Sequence, residues 1–234
     1  MIVTGFKTAH DGIARETALL QQGRPAMLLW QSNACALVVP SALARRAAVQ
    51  QQAQITAAAG WPLVTRGSGG GIVPQWSGTV NLAMIVPCPA GFTPESGYHL
   101  ICSSISAALS QFDIPSDTGA CQSAFCDGDW NLLVKRRKLV GTAQRLRMTA
   151  AGRVALIHAA ILTKMPAPEV WPIMNELHKA AFPESSGIRA EAHIALEDLF
   201  PQPMNPQSFL AALADAAEER LTTLTHRQSV PSLA

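Results

Sequence analysis

The chain predicts an α+β fold: a central mixed or antiparallel sheet flanked by helices. Three observations predict it. Apolar residues recur at helical spacing in five segments, and short apolar runs closed by turn signals mark strands. Three of those runs, residues 131–134, 138–146 and 154–162, follow one another with only tight turns between them. Hairpin-linked strands kept apart from the helices fit α+β better than a strictly alternating α/β order.

Taken in order, residues 12–22 predict a helix with Ile13, Thr17 and Leu20 on one face, and residues 27–30 a strand. Residues 41–59 predict one helix, with Ser41 as its N-cap and Gly60 as its stop. A short strand over 63–66 delivers a glycine-rich loop, and the apolar run 80–86 reads as a strand closed by Pro87. The clearest amphipathic helix covers 95–112, where Tyr98, Ile101, Ile105, Leu109 and Phe112 recur on one face and Pro115 follows the end. In the strand cluster, Arg136-Arg137 and residues 150–152 are the expected turns. Helices are expected over 168–181 and 206–222, the second starting favourably with Asn205 as N-cap and Pro206 at the first helical position. The tail from Gln228 is expected to fray. No internal repeat is present.

A chain of 234 residues can bury one sizeable core, and 48% hydrophobic against 15% charged residues argues for a folded domain. A net charge of +2 gives no bulk reason to bind nucleic acid. The five cysteines are odd in number, irregularly spaced and without a Cys-x-x-Cys pair, which speaks against a disulfide framework or a zinc site. The segment Met1 to Lys7 lacks the charged and apolar regions of a signal peptide. The longest apolar runs are about ten residues, half of what a membrane span needs. A cytoplasmic protein without membrane segments is the expectation.

Two segments carry the chemistry: Arg66-Gly67-Ser68-Gly69-Gly70-Gly71 and Lys138-Leu139-Val140-Gly141-Thr142-Ala143-Gln144. Glycine removes the Cβ and lets backbone N–H groups approach a ligand, and consecutive N–H groups form an anion-binding nest. The run is neither a P-loop, since no Lys-Ser/Thr follows, nor the dinucleotide fingerprint. By itself it reads equally as a tight turn. Lys138 reads either as an ordinary surface lysine in the basic run Lys135-Arg136-Arg137-Lys138 or as a fixed cation beside a reacting carbonyl. The basic run itself is either a solvated hairpin edge or an attraction for an acidic partner. Cys126 is either a small buried hydrophobe or a nucleophile able to hold an acyl group as a thioester; Cys121 is a weaker alternative. His158, in an otherwise apolar strand, is either a satisfied core residue or a pocket wall. Asn81 either bonds a ligand or is satisfied by the backbone.

Together and in this order, the segments resemble the lipoate–protein ligase and octanoyltransferase family, whose catalytic fold is shared with biotin ligases. The anchors are Leu28-Leu29-Trp30, Arg66 to Gly71, Gly78 with Asn81, Lys138 to Gln144, and His158 before Ala159-Ala160-Ile161-Leu162, so the resemblance spans most of the chain from Ile13 to Leu199. It implies a ligand site made by Arg66, Ser68, Gly69, Gly70, Gly71, Asn81, Gly141, Thr142, Ala143 and His158. Lys138 would contact the acyl carboxylate or acyl-adenylate, and Cys126 stands where the octanoyltransferase branch has its nucleophile. The implied activity attaches lipoate or a related medium-chain acyl group, such as octanoate, to a lysine of a lipoyl-carrier domain or glycine-cleavage H-like protein. A ligase would use ATP and Mg²⁺; a transferase would take the acyl group from a carrier-protein thioester through Cys126; a diverged homologue would only bind the acyl ligand. An acyl carrier protein or an accessory ligase subunit are further implied partners.

The sequence also departs from the family. Gln75 and Trp76 stand where a His-Asp pair is usual, Asn131 lies near a position often acidic, and Ala159 replaces a glycine after His158. After Leu199 about 35 residues remain, so the expected organisation is a catalytic domain over 1–200 and a C-terminal helix and tail over 201–234, without a full accessory domain.

Overall fold

In the computed structural model, which describes residues 3–150, 152–200 and 206–229, the fold is built on a seven-stranded sheet. Its strands are β1 (Thr4–Phe6), β2 (Ala26–Ser32), β6 (Thr79–Pro87), β10 (Gly152–Leu162), β9 (Arg137–Thr149), β8 (Asn131–Val134) and β7 (Asp117–Gly119), in that spatial order. β1 runs parallel to β2 and the remaining neighbours are antiparallel, so the sheet is mixed, as expected. A smaller sheet places β3 (Ala36–Pro40) between β4 (Leu63–Arg66) and β5 (Val73–Gln75).

Alternation along the central strand β6 decides what each face covers. Val80, Leu82, Met84 and Val86 point into the main core, which they share with α4 (Pro94–Ser110) and with Phe209, Leu213 and Ala217 of α6 (Pro206–Ser229). Ala83 and Ile85 point the other way, against Leu20 of α1 (Ala9–Gln22). A further core lies between the small sheet and α5 (Val170–Ala181), with Leu37, Val39, Trp171 and Met174.

The differences from the sequence expectation are local. The α1 helix starts three residues early because Thr8 and Asp11 form a capping box, and its buried face is Ala9, Gly12, Glu16 and Leu20 rather than the Ile13 and Thr17 face. The single helix expected over 41–59 is two, α2 (Ser41–Ala44) and α3 (Ala47–Ala58), broken at Arg45-Arg46. Ser41 is not the N-cap: Pro40 holds that place, and the Ser41 hydroxyl donates to the Arg66 carbonyl, tying the helix to the end of β4. Gly60 does sit in the left-handed region after α3. The β8–β9 turn is centred on Lys135-Arg136, both left-handed at φ 51° and 62°, one residue earlier than expected. Strands β1, β3, β5 and β7 were not anticipated, and Asn205 lies outside the described residues.

Candidate functional site

The glycine loop between β4 and β5 and the Cys121–Cys126 loop before β8 close on one another at Cys126. The Gly71 N–H donates to Cys126 Sγ at 2.9 Å. A Cβ on Gly71 would lie 3.0 Å from the Cys126 Cα, and Gly70 is left-handed at φ +99° with a Cβ position 2.7 Å from Sγ. These two glycines are therefore demanded by the approach of Cys126, whereas Gly69 faces open space.

Arg66, buried, organises this loop. Its guanidinium donates to the carbonyls of Val38, Gly69 and Gly71 and comes within 3.9 Å of Cys126 Sγ. Burial pushes it below its ordinary pKa, against the attraction of negative charge at Cys126. These contacts fix the guanidinium, and Arg66 also borders the apolar cleft described below.

Lys138 is not a surface lysine. It is 1% exposed, although the flanking Lys135 and Arg136 are exposed. Its Nζ donates to the carbonyls of Phe125 (2.6 Å) and Cys126 (2.8 Å), holding the Cys126 loop from beneath. Burial pushes its pKa down, and negative charge at Cys126 and Asp127 pulls the other way. A Cβ on Gly141 would lie 3.1 Å from this Nζ, so the small residue there leaves room for the ammonium. Among the described residues Nζ has two acceptors for its three donors.

His193, absent from the sequence reading, is the second support of the loop. It is fully buried, accepts the Phe125 N–H at Nε2 (3.0 Å), and donates from Nδ1 to the Arg189 carbonyl. Its ring stacks on Phe125 at 4.3 Å. Burial first, then the Lys138 charge, pushes its pKa down to about 3, so it is a neutral imidazole with a fixed tautomer. A backbone bridge pairs its strand segment with Lys138.

Two clefts meet at Cys126. The first is mainly apolar, a cavity of about 50 Å³ lined by Ile13, Trp30, Val38, Val73 and Ala159 as well as Cys126. Gly141, Thr142, Ala143, His158 and Asn81 also border it. Its polar wall is satisfied internally. His158 meets Glu16 through Nδ1 (2.9 Å) and Ser68 through Nε2 (2.8 Å), and the Trp30 indole N–H donates to Glu16. Asn81 and Gln75 exchange two amide hydrogen bonds, so the residue at the unusual Gln75 position is the partner of Asn81. The second cleft is more polar, with Gln122, Ser123, His178, Ser185 and Ser186 around Gly70, Gly71 and Cys126.

The carboxylate nearest the loop, Asp127, turns one of its oxygens inward. Asp127 Oδ1 already accepts from the Cys121 and Gly128 N–H groups and the Asn131 amide, and Asn131 turns its nitrogen to this corner. Among the described residues no group of three or more His, Cys, Asp or Glu could hold a metal by side chains alone, whereas magnesium bound with a nucleotide needs only one or two carboxylates beside the phosphates.

The model of the lipoyl protein ligase A/B catalytic domain matches residues 8–218. The chain belongs to that family. As a lipoyl ligase A/B protein it is an enzyme of the kind that attaches lipoyl or octanoyl groups. It is 36% identical over 173 residues to an uncharacterised protein of Cupriavidus necator, covering 67% of this chain and 68% of that one. It is 27% identical over 203 residues to an octanoyl-[GcvH]:protein N-octanoyltransferase of Kyrpidia tusciae, covering 81% and 68%. The structure of lipoate-protein ligase A bound with ATP superposes with TM-score 0.66 at 14% identity, over 94% of this chain and 83% of that one, a likeness of fold. Within this lipoyl ligase A/B chain, Arg66, Gly70, Gly71, Asn81, Gly141, Thr142, Ala143 and His158 border the clefts at Cys126, Lys138 lies beneath the loop, Ser68 joins through His158, and Gly69 borders neither cleft. Glu16 and His193 are additions. Glu16 had a visible signal, a carboxylate on the buried stripe of α1, in step with Gly12 and Leu20; His193 had none, because its partner Phe125 is 68 residues away.

Proposed function

We propose that this chain transfers an octanoyl or lipoyl group from the lysine of one carrier domain to the lysine of another, holding it in between as a thioester on Cys126. The observation that carries the reading is the position of Cys126 Sγ at the junction of an apolar and a polar cleft, with the Gly71 N–H directed at it. The apolar cleft takes the acyl chain. The Cys126 thiolate attacks the acyl carbonyl; the C–S bond forms, the donor C–N bond breaks and the leaving lysine amine takes a proton from solvent. The acceptor amine then attacks the thioester, the C–S bond breaks, and the amine proton passes to solvent as the thiolate is restored. The Gly71 N–H stabilises charge on the carbonyl oxygen, and Lys138, buried beneath, holds the loop that positions the sulfur. Exchanging one lysine amide for another is close to thermoneutral, so the reaction needs no nucleotide. The transferase name of the Kyrpidia relative supports this reading.

The test is intact-mass spectrometry of a purified apo lipoyl domain incubated with this protein. One tube holds an octanoylated glycine-cleavage H-type donor without ATP; the other holds free lipoate with Mg·ATP. Modification in the first tube is expected. Modification only in the second would replace this reading with an ATP-dependent ligase.

Lys138→Met should lower kcat for transfer by about tenfold to a hundredfold, because the Cys126 loop loses the two hydrogen bonds that hold the sulfur in place. Stability should change by less than about 2 kcal/mol, because the two orphaned carbonyls are offset by relief of a buried charge. Steady-state kinetics with urea titrations checks both.

A further inference from the structure

We infer that the groove between the β8–β9 turn and Arg189 docks the acidic face of the carrier domain whose acylated lysine enters the second cleft; the inference rests on the transferase reading above. Arg136, Arg137 and Arg189 line this groove, against a single carboxylate on its wall, Glu191. Among the described residues no carboxylate lies within ion-pair distance of any of the three guanidinium groups. In a chain of net charge +2, such a concentration is a local feature. The left-handed pair Lys135-Arg136 makes the turn tight and presents two exposed cations at its tip.

Position gives the groove its meaning. Gln122 lines both the groove and the second cleft, so the two are continuous on the surface. The loop that carries Cys126 is fastened to the groove. The Arg189 N–H donates to the Ser123 carbonyl, and the Cys121 thiol contacts the Ala192 carbonyl at 3.3 Å. Ser123 and Cys126 are three residues apart and can span at most about 11 Å. A small domain seated on the arginines therefore has its nearest loop beside the opening to Sγ. The fixed cations select the occupant by charge: an acidic protein domain, drawn in by steering and held in register.

The test uses the intact protein and the double variant Arg136→Glu/Arg189→Glu, with Arg136→Gln/Arg189→Gln as a milder pair. An octanoylated glycine-cleavage H-type protein serves as macromolecular donor, and the octanoyl thioester of N-acetylcysteamine as a small one. Carrier affinity is titrated directly at low and high salt, and loading of Cys126 is read by intact mass. The expected result is a carrier affinity at least about tenfold weaker in the charge-reversed variant, with the salt dependence of the wild type flattened. Loading from the small thioester should be unchanged, which shows the variant folded. Unchanged carrier affinity and unchanged salt dependence in both variants would overturn the docking groove. Failure of wild-type Cys126 to load from either donor would instead overturn the transferase reading, while the binding titration still decides the groove.

Discussion

Cys126→Ser should lose transfer activity by about three orders of magnitude or more and should show no acyl-enzyme adduct with either donor. The substitution isolates nucleophilicity. Serine keeps an acceptor for the Gly71 N–H and tolerates the left-handed φ of 49° no worse than cysteine does. The loop, its Lys138 anchor and the apolar cleft all remain, so binding of octanoate or of the carrier domain should persist. What disappears is the thiolate, and a hydroxyl without an adjacent base is a poor replacement. Intact-mass spectrometry after mixing with the donor, paired with a binding titration, separates the two effects. An adduct retained at Cys126→Ser, or transfer that continues at near wild-type rate, would move the acyl carrier elsewhere.

His193 predicts a pH dependence of stability. Its folded-state pKa of about 3 lies below the unfolded value of about 6.5. Between those values the unfolded chain binds the proton and the folded protein does not, so stability rises with pH across this window. The contribution is full above about pH 6.5 and is lost progressively as pH falls towards 3. The size is on the order of a few kcal/mol, enough to be a large part of a typical folding free energy. His193→Leu should be less stable than wild type at pH 7 by about 1–3 kcal/mol, because the buried Phe125 N–H loses its acceptor. On acidification the difference should shrink and then reverse. Urea midpoints at several pH values test this; a gap that stays constant from pH 7 to 4 would contradict it.

Legibility in the sequence followed the range of the interactions. The β8, β9 and β10 hairpins were readable because apolar runs and turn residues are local signals, and α4 because its buried stripe is long. The α2–α3 break was not, since Arg45-Arg46 contains neither glycine nor proline. Strand β3 hides because Ala36–Pro40 is buried throughout and so shows no alternation. At the site, the glycine loop and Lys138 were readable through their resemblance to a family. The burial of Lys138 was not, because a four-residue basic run reads as surface. Glu16 was readable in principle as a carboxylate out of place. His193 depends on contacts that only the fold creates.

A single sulfur standing where two clefts meet also imposes an order in time. It can hold one acyl group, and a donor domain seated over it occupies the approach an acceptor needs. The two carriers must then take turns, with the charged donor arriving first and departing empty before the second is admitted. If the proposed thioester route holds, such an enzyme would keep no three-protein assembly and set no direction of its own; the relative abundance of loaded and unloaded carriers would decide which way the acyl group moves.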